Sequence, residues 1–204
     1  MKIHRIIWER FDVNSYVLEY GDNAVIIDCN TCTFSYLEKN NIKPSYIFIT
    51  HEHFDHIEGL GQIKAKFPEV NIIATKTASQ LFSSMTDNMS KYYDGPNVEE
   101  NGADIELTEN TVFNVFNKEF KCFLTPGHTH GCMIIQVDNF LFTGDTVLNN
   151  IRTPKQGPNA SKAKLIESLD FIESYFPDDI LIYPGHGNSL YKYDWHKSLS
   201  LGKI

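Results

Sequence analysis

The sequence predicts an α/β fold in which helices are layered against β-sheets, and three observations carry that prediction. Nine short runs rich in β-branched and aromatic residues recur along the chain, two stretches have the spacing of amphipathic helices, and no repeat, low-complexity run or Pro/Gly-rich linker interrupts them. The first runs, "KIHRII", "SYVLEY" and "AVIID", are divided by short turns such as Gly21-Asp22-Asn23 and read as an antiparallel meander. "YIFIT" follows as a strand, and then "IEGLGQIKAKF" sets Ile57, Leu60, Ile63 and Phe67 at helical spacing before Pro68 stops the helix. "NIIAT" is the next strand. Residues 77–101, polar and aromatic, read as a helix with an irregular excursion, the place for a substrate-facing insertion. "FKCFLT", "MIIQV" and "FLFTG" are strands again. "AKLIESLDFIESYF" then puts Leu165, Leu169, Ile172 and Phe176 on one stripe and ends before Pro177, and "ILIYPG" is the last strand.

A chain of 204 residues suits one domain, 1–204, with a large core. Hydrophobic residues at 42% and charged residues at 22% exclude a disordered chain. The net charge of −8, with no Lys/Arg cluster, argues against a nucleic-acid partner, which needs a concentrated basic surface. "MKIHRIIWERF" is broken by His4, Arg5, Glu9 and Arg10 and so lacks the apolar stretch of a signal peptide. With no run of membrane-spanning length either, the expected location is the cytoplasm, with no membrane partner and a small-molecule substrate. Cys29, Cys32, Cys122 and Cys132 are then expected as reduced thiols. The CxxC of Cys29 and Cys32, "CNTC", has neither a thioredoxin-like context nor a second CxxC, so it is read as loop cysteines.

"FITHEHFDHIEG" places three histidines, two glutamates and an aspartate within a few residues. His51 and His53 are two apart just beyond an apolar run, so an extended backbone projects both imidazoles to one side, which suits one metal ion. Asp55 and His56 fall at the turn into the next helix and can serve a neighbouring ion. Three later segments share one build, an apolar run ending in a glycine-containing loop with one potential ligand: "FLTPGHTHG" with His128, "FLFTGDTV" with Asp145 and "ILIYPGHGN" with His186. Imidazole and carboxylate without thiolate suit zinc, iron or manganese. Glu52, between two ligands, is expected as a solvated or supporting group. His4, His130 and His196 are assigned no role.

The full pattern resembles the metallo-β-lactamase fold superfamily, whose HxHxDH signature stands here as His51, His53, Asp55 and His56, followed by His128, Asp145 and His186. The resemblance runs from "AVIIDC" to "YPGHG". It implies a four-layer αβ/βα sandwich of two mixed sheets flanked by helices, with two divalent metal ions, zinc first and iron or manganese as alternatives. It also implies the ligand sets: His51, His53 and His128 on one ion, Asp55, His56 and His186 on the other, and Asp145 bridging.

Within the superfamily, Asp145 stands where the secreted β-lactamases carry cysteine, and His53 where flavo-diiron proteins carry an acidic residue. "TPGHTHGC", "LFTGDTVL" and "IRTPKQGPNASKAKLIESL" look most like the glyoxalase II group of hydroxyacylglutathione thioesterases. The reaction so implied is attack of a metal-activated hydroxide on a thioester or ester carbonyl, with Asp55 helping to hold the nucleophile in line. Only eighteen residues follow His186, too few for the helical domain with which full-length glyoxalase II grips glutathione. A lactone or other ester is the nearest alternative substrate. A mononuclear-iron persulfide dioxygenase using His51, His128 and Asp145, and a non-catalytic metal-containing ligand sensor, are the alternatives from other classes.

Overall fold

β1 (Lys2–Trp8), β2 (Val13–Tyr20) and β3 (Asn23–Ile27) form the predicted antiparallel meander in the computed structural model of the chain, which describes residues 1–155, 157–197 and 200. The chain then changes habit. α1 (Thr31–Asn40) returns it to β4 (Lys43–Phe48), which lies parallel to β3, and two short helices, α2 (Phe54–Ile57) and α3 (Leu60–Lys66), return it to β5 (Asn71–Thr75), parallel to β4. α4 (Lys76–Leu81), an irregular segment and β6 (Ile105–Leu107), parallel to β5, complete a six-stranded sheet in the order β1 to β6. Because β3 and β4 are parallel neighbours, the loops that follow them emerge side by side at one end of the sheet.

These elements belong to the first of two compact units, Met1–Thr108. The second, Glu109–Ile204, holds a sheet of order β12-β11-β10-β9-β8-β7. It comprises β7 (Thr111–Val115), β8 (Lys118–Leu124), β9 (Met133–Val137), β10 (Phe140–Gly144), β11 (Leu181–Pro184) and β12 (Leu190–Tyr191), with α5 (Lys162–Tyr175) crossing between the parallel pair β10 and β11. β8 and β10 both run antiparallel to β9, so β8, β10 and β11 point the same way and the loops after all three emerge at the same sheet end.

Each unit has its own core. In the first, Ile26, Leu37, Ile47, Ile49, Ile57 and Ile63 are fully buried in one cluster; in the second, Leu165, Leu169 and Ile172 from the predicted stripe of α5 pack with Ile134, Leu141 and Ile182. At about 1.5–3 kcal/mol for each fully buried aliphatic side chain, these clusters dominate the favourable side of folding. No helix among the described residues is long and apolar enough to cross a membrane.

Two expectations are corrected. The helix predicted after His56 is two helices, broken where Gly59 meets the β3–α1 connection: a Cβ on Gly59 would lie 2.5 Å from the Asn30 carbonyl oxygen and 2.7 Å from Cys29 Sγ. Cys32, expected in a loop, lies in the first turn of α1, where the side chain of Asn30 caps the helix by accepting from the Cys32 amide at 3.0 Å.

Candidate metal centre

The first unit presents His51 and His53 on the connection from β4 to α2, and Asp55 and His56 within α2. Residues 47–52, the end of β4 and the start of this connection, are all buried, and of the two roles expected for Glu52, solvated or supporting, its full burial excludes the solvated one. His53 is the N-cap residue of α2, with extended backbone angles, and the His51 and His53 rings lie 4.7 Å apart. The ring of His56 lies 4.3 Å from that of His51, and its Nε2 is 3.9 Å from Asp55 Oδ2. The His56 carbonyl accepts from the Cys29 amide at 2.7 Å, and the Gly59 amide donates back to the Cys29 carbonyl at 2.9 Å. On the other side the Phe54 amide donates to Asn88, a fully buried residue whose side-chain amide holds the carbonyls of Phe82 and Val98.

Asp28, to which the sequence reading gave no role, organises this half. It follows β3 in the left-handed backbone region (φ 56°), uncommon for any residue but glycine and tolerated best by Asn and Asp. That backbone turns its carboxylate toward the loop after β4. Oδ1 accepts from the Thr50 amide at 2.7 Å; Oδ2 accepts from the Thr50 hydroxyl at 2.8 Å and from His56 Nδ1 at 2.8 Å. A carboxylate offers no hydrogen, so His56 Nδ1 must be the donor, and the neutral ring keeps its lone pair on Nε2. The Thr50 hydroxyl has given its hydrogen to Asp28, so at 3.1 Å from His51 Nδ1 its oxygen accepts, which leaves the lone pair of His51 on Nε2 as well. One buried carboxylate therefore sets two imidazoles in the tautomer that binds a metal through Nε2.

The second unit does the same with backbone. His128 lies in the loop after β8, and its Nδ1 donates to the Pro154 carbonyl at 2.8 Å, which again frees Nε2. This loop is pinned to the start of α5: Gly127 O accepts from the Ser161 amide at 2.8 Å, and the Ser168 hydroxyl donates to the Pro126 carbonyl at 2.8 Å. A Cβ on Gly127 would stand 2.3 Å from Leu165 Cα. Gly127→Ala is accordingly expected to destabilise the protein by about 2 kcal/mol through overpacking, roughly 4–8 °C in Tm, and to weaken metal retention because the His128 loop must lift away. Thermal melts of the metal-free and metal-loaded forms check both effects.

Asp145 and His186 follow the parallel strands β10 and β11, whose loops are tied by a Gly185 amide to Gly144 carbonyl bond of 2.8 Å. Asp145 Oδ2 lies 3.5 Å from His128 Nε2 and 3.5 Å from His186 Nε2. That is beyond good hydrogen-bond length, yet close to the edge of a tetrahedron with metal–ligand bonds of about 2.0–2.2 Å. All three donors are the hard or borderline kind that divalent zinc, iron and manganese accept, and the oriented rings supply the correct atoms. The residues fit such ions.

The rest of the chemistry-bearing groups divide clearly. Burial pushes the Cys29 thiol well above its ordinary range, helped by the charges of Glu100 and Asp28, and pushes Cys122 up to about 12. Neither is a ready nucleophile or thiolate ligand, and none of the four cysteines is in a disulfide. His4 bonds Glu19 at 2.7 Å, while His130 and His196 are exposed. Glu58, one turn after Asp55, is raised above the usual carboxylate range by burial, with Arg10 opposing and Asp55 adding to the rise.

Residues 8–186 match the family described as the metallo-beta-lactamase superfamily. A hydroxyacylglutathione hydrolase from Buchnera aphidicola subsp. Baizongia pistaciae is 28% identical over 188 residues, 89% of this chain and 66% of that protein. The chain thus spans just under two thirds of that relative's length. The probable polyketide biosynthesis zinc-dependent hydrolase PksB of Bacillus subtilis is 24% identical over 84% of this chain and 71% of its own. Among solved structures, the BLEG-1 B3 metallo-beta-lactamase superposes with a TM-score of 0.86 at 22% identity, covering 95% of each chain. That likeness bears out the expected fold of two mixed sheets with flanking helices.

Proposed function

The chain belongs to the metallo-beta-lactamase superfamily of metal-binding hydrolases, and we propose that within it this protein is a thioester hydrolase of the glyoxalase II kind, working with two divalent ions, zinc in the first instance. Residues 1–204 act in this reading as one hydrolase domain. In this reading His51, His53 and His128 would hold one ion and Asp55, His56 and His186 the other, with Asp145 shared, the first unit supplying four of these residues and the second three. The observation that carries the dinuclear reading is the position of Asp145, whose single oxygen Oδ2 stands equally far, 3.5 Å, from the Nε2 atoms of two histidines assigned to different ions.

Bound there, the ions supply Lewis acidity and lower the pKa of a water toward neutrality, so that hydroxide is available at physiological pH. The chain's own residues do the rest. Asp28, Thr50 and the Pro154 carbonyl hold the imidazoles in one tautomer and one orientation, so no ring reorganises during turnover. Asp55, buried beside His56, would hold the nucleophile in line with the carbonyl carbon by accepting its hydrogen bond. A thiolate leaves with little protonation, so a thioester requires no separate general acid, whereas an alkoxide would.

The test is hydrolysis of S-lactoylglutathione by protein loaded separately with zinc, manganese and iron. Turnover that a chelator abolishes and added metal restores is expected. Absence of turnover with every metal, in protein shown by elemental analysis to hold its ions, would reject the thioester and leave esters or lactones as substrates of the same centre.

A further inference from the structure

The Pro154 carbonyl that takes the His128 Nδ1 hydrogen stands on a segment without regular secondary structure, so other contacts must fix where it points. Proline locks its own φ at about −65° and confines the residue before it to extended backbone, so the direction of this carbonyl follows from how Thr153 is placed. Thr153 is fully buried and is held from two sides. Its hydroxyl donates to the Thr146 carbonyl at 3.1 Å, and Thr146 directly follows Asp145. Its amide donates to the Ser200 carbonyl at 3.3 Å.

Ser200 is itself fixed. It is fully buried, and its hydroxyl oxygen accepts from the Trp195 indole N–H at 2.9 Å. Trp195 belongs to the core cluster that α5 forms with β10 and β11, and Lys197 pairs with Asp170 and Glu173 of α5. A buried indole N–H and a buried amide both require acceptors, and one serine supplies them, the first with its side chain and the second with its backbone. The bonds thus lead from the core beside α5, through Ser200 and Thr153, to the carbonyl on His128, and a side branch through Thr146 reaches the loop of Asp145.

We propose that Thr153 and Ser200 are positioning residues of the metal centre, a clasp that keeps the Pro154 carbonyl on Nδ1 of His128 so that the lone pair of Nε2 is left for the ion. The proposal rests on His128 as a metal ligand and not on the substrate. An imidazole released from Pro154 can carry its hydrogen on either nitrogen, and the fraction with hydrogen on Nε2 cannot bind through that atom. Metal binding and the clasp are then linked in both directions: whatever factor in affinity the clasp supplies, the bound ion returns to the clasp as stability.

Thr153→Val keeps the shape and removes the hydroxyl, Thr153→Ser keeps the hydroxyl, and Ser200→Ala takes the side-chain acceptor from the Trp195 indole. Nitrogen NMR of the metal-free proteins should show His128 with its hydrogen on Nδ1 in wild type and Thr153→Ser, and a mixture of tautomers in Thr153→Val and Ser200→Ala. In zinc titrations these last two should lose about 10-fold in affinity, the low end for disturbing the partner of a metal-ligating histidine. Hydrogen exchange of the Trp195 indole in wild type should slow by about the same factor on zinc loading, a measurement that needs no variant and stands even where a substitution prevents folding. A single His128 tautomer in all four proteins, an affinity that Thr153→Val and Ser200→Ala leave unchanged, a loss that Thr153→Ser does not repair, or indole exchange indifferent to bound zinc overturns the proposal. Wild type that binds no zinc would reject the metal centre instead, and the tautomer comparison, made without metal, would still decide the clasp.

Discussion

Asp145→Ala is expected to lower thioester hydrolysis on the order of 10³-fold, the upper range for losing one principal electrostatic contributor, and to cost the protein both ions instead of one. The proposed centre brings four positive charges from two divalent ions together with only two carboxylates, Asp55 and Asp145. Asp145 is 5% exposed and faces the Nε2 atoms of His128 and His186 at equal distances, so its removal strips negative charge from both positions at once. His56→Ala, by contrast, removes a neutral ligand from one ion and should leave the other in place. Elemental analysis of the purified variants separates these results, with circular dichroism as the check on folding. Two ions retained by Asp145→Ala would sink the bridging assignment. An unchanged metal content in His56→Ala would sink the second position.

Most of the fold was legible because its signals are local. Nine expected strands lie where the β-branched runs stand, and the stripe of α5 is buried residue for residue as its 3.6 spacing requires. The elements that escaped were short or weakly patterned. β6, β7 and β12 span three, five and two residues, and the outer positions of β7 alternate with half-buried ones. α1 reads "TCTFSYLEKN", where cysteine and threonine obscure a helix that Asn30 nevertheless caps. The ligand residues stood out because imidazole and carboxylate at strand ends are rare together. Asp28 did not, since an aspartate closing an apolar strand is also what an ordinary turn contains. Its role depends on β4 lying parallel beside β3, and Thr50 and His56 are 22 and 28 residues away in sequence.

Asp28→Asn is the second large effect, and it tests hydrogen-bond direction apart from shape. Asparagine occupies the same volume and tolerates the left-handed backbone at φ 56°. With its oxygen toward the Thr50 amide, its NH₂ replaces Oδ2 and donates where the carboxylate accepted. His56 Nδ1 must then accept, moving the ring hydrogen to Nε2, and the Thr50 hydroxyl, receiving a donor, turns its own hydrogen to His51 Nδ1 with the same result. Both rings would present N–H to the ions. The flipped amide is no escape, because it sets NH₂ against the Thr50 amide N–H across a contact of 2.7 Å. The expected loss in metal affinity is about 10–100-fold for each disturbed histidine, with activity falling in parallel and restored in part by excess metal. Nitrogen NMR of the histidine rings reads the tautomers directly: wild-type His51 and His56 should carry hydrogen on Nδ1, and the variant on Nε2. Unchanged affinity together with unchanged tautomers would mean that packing, and not the carboxylate, orients these two ligands.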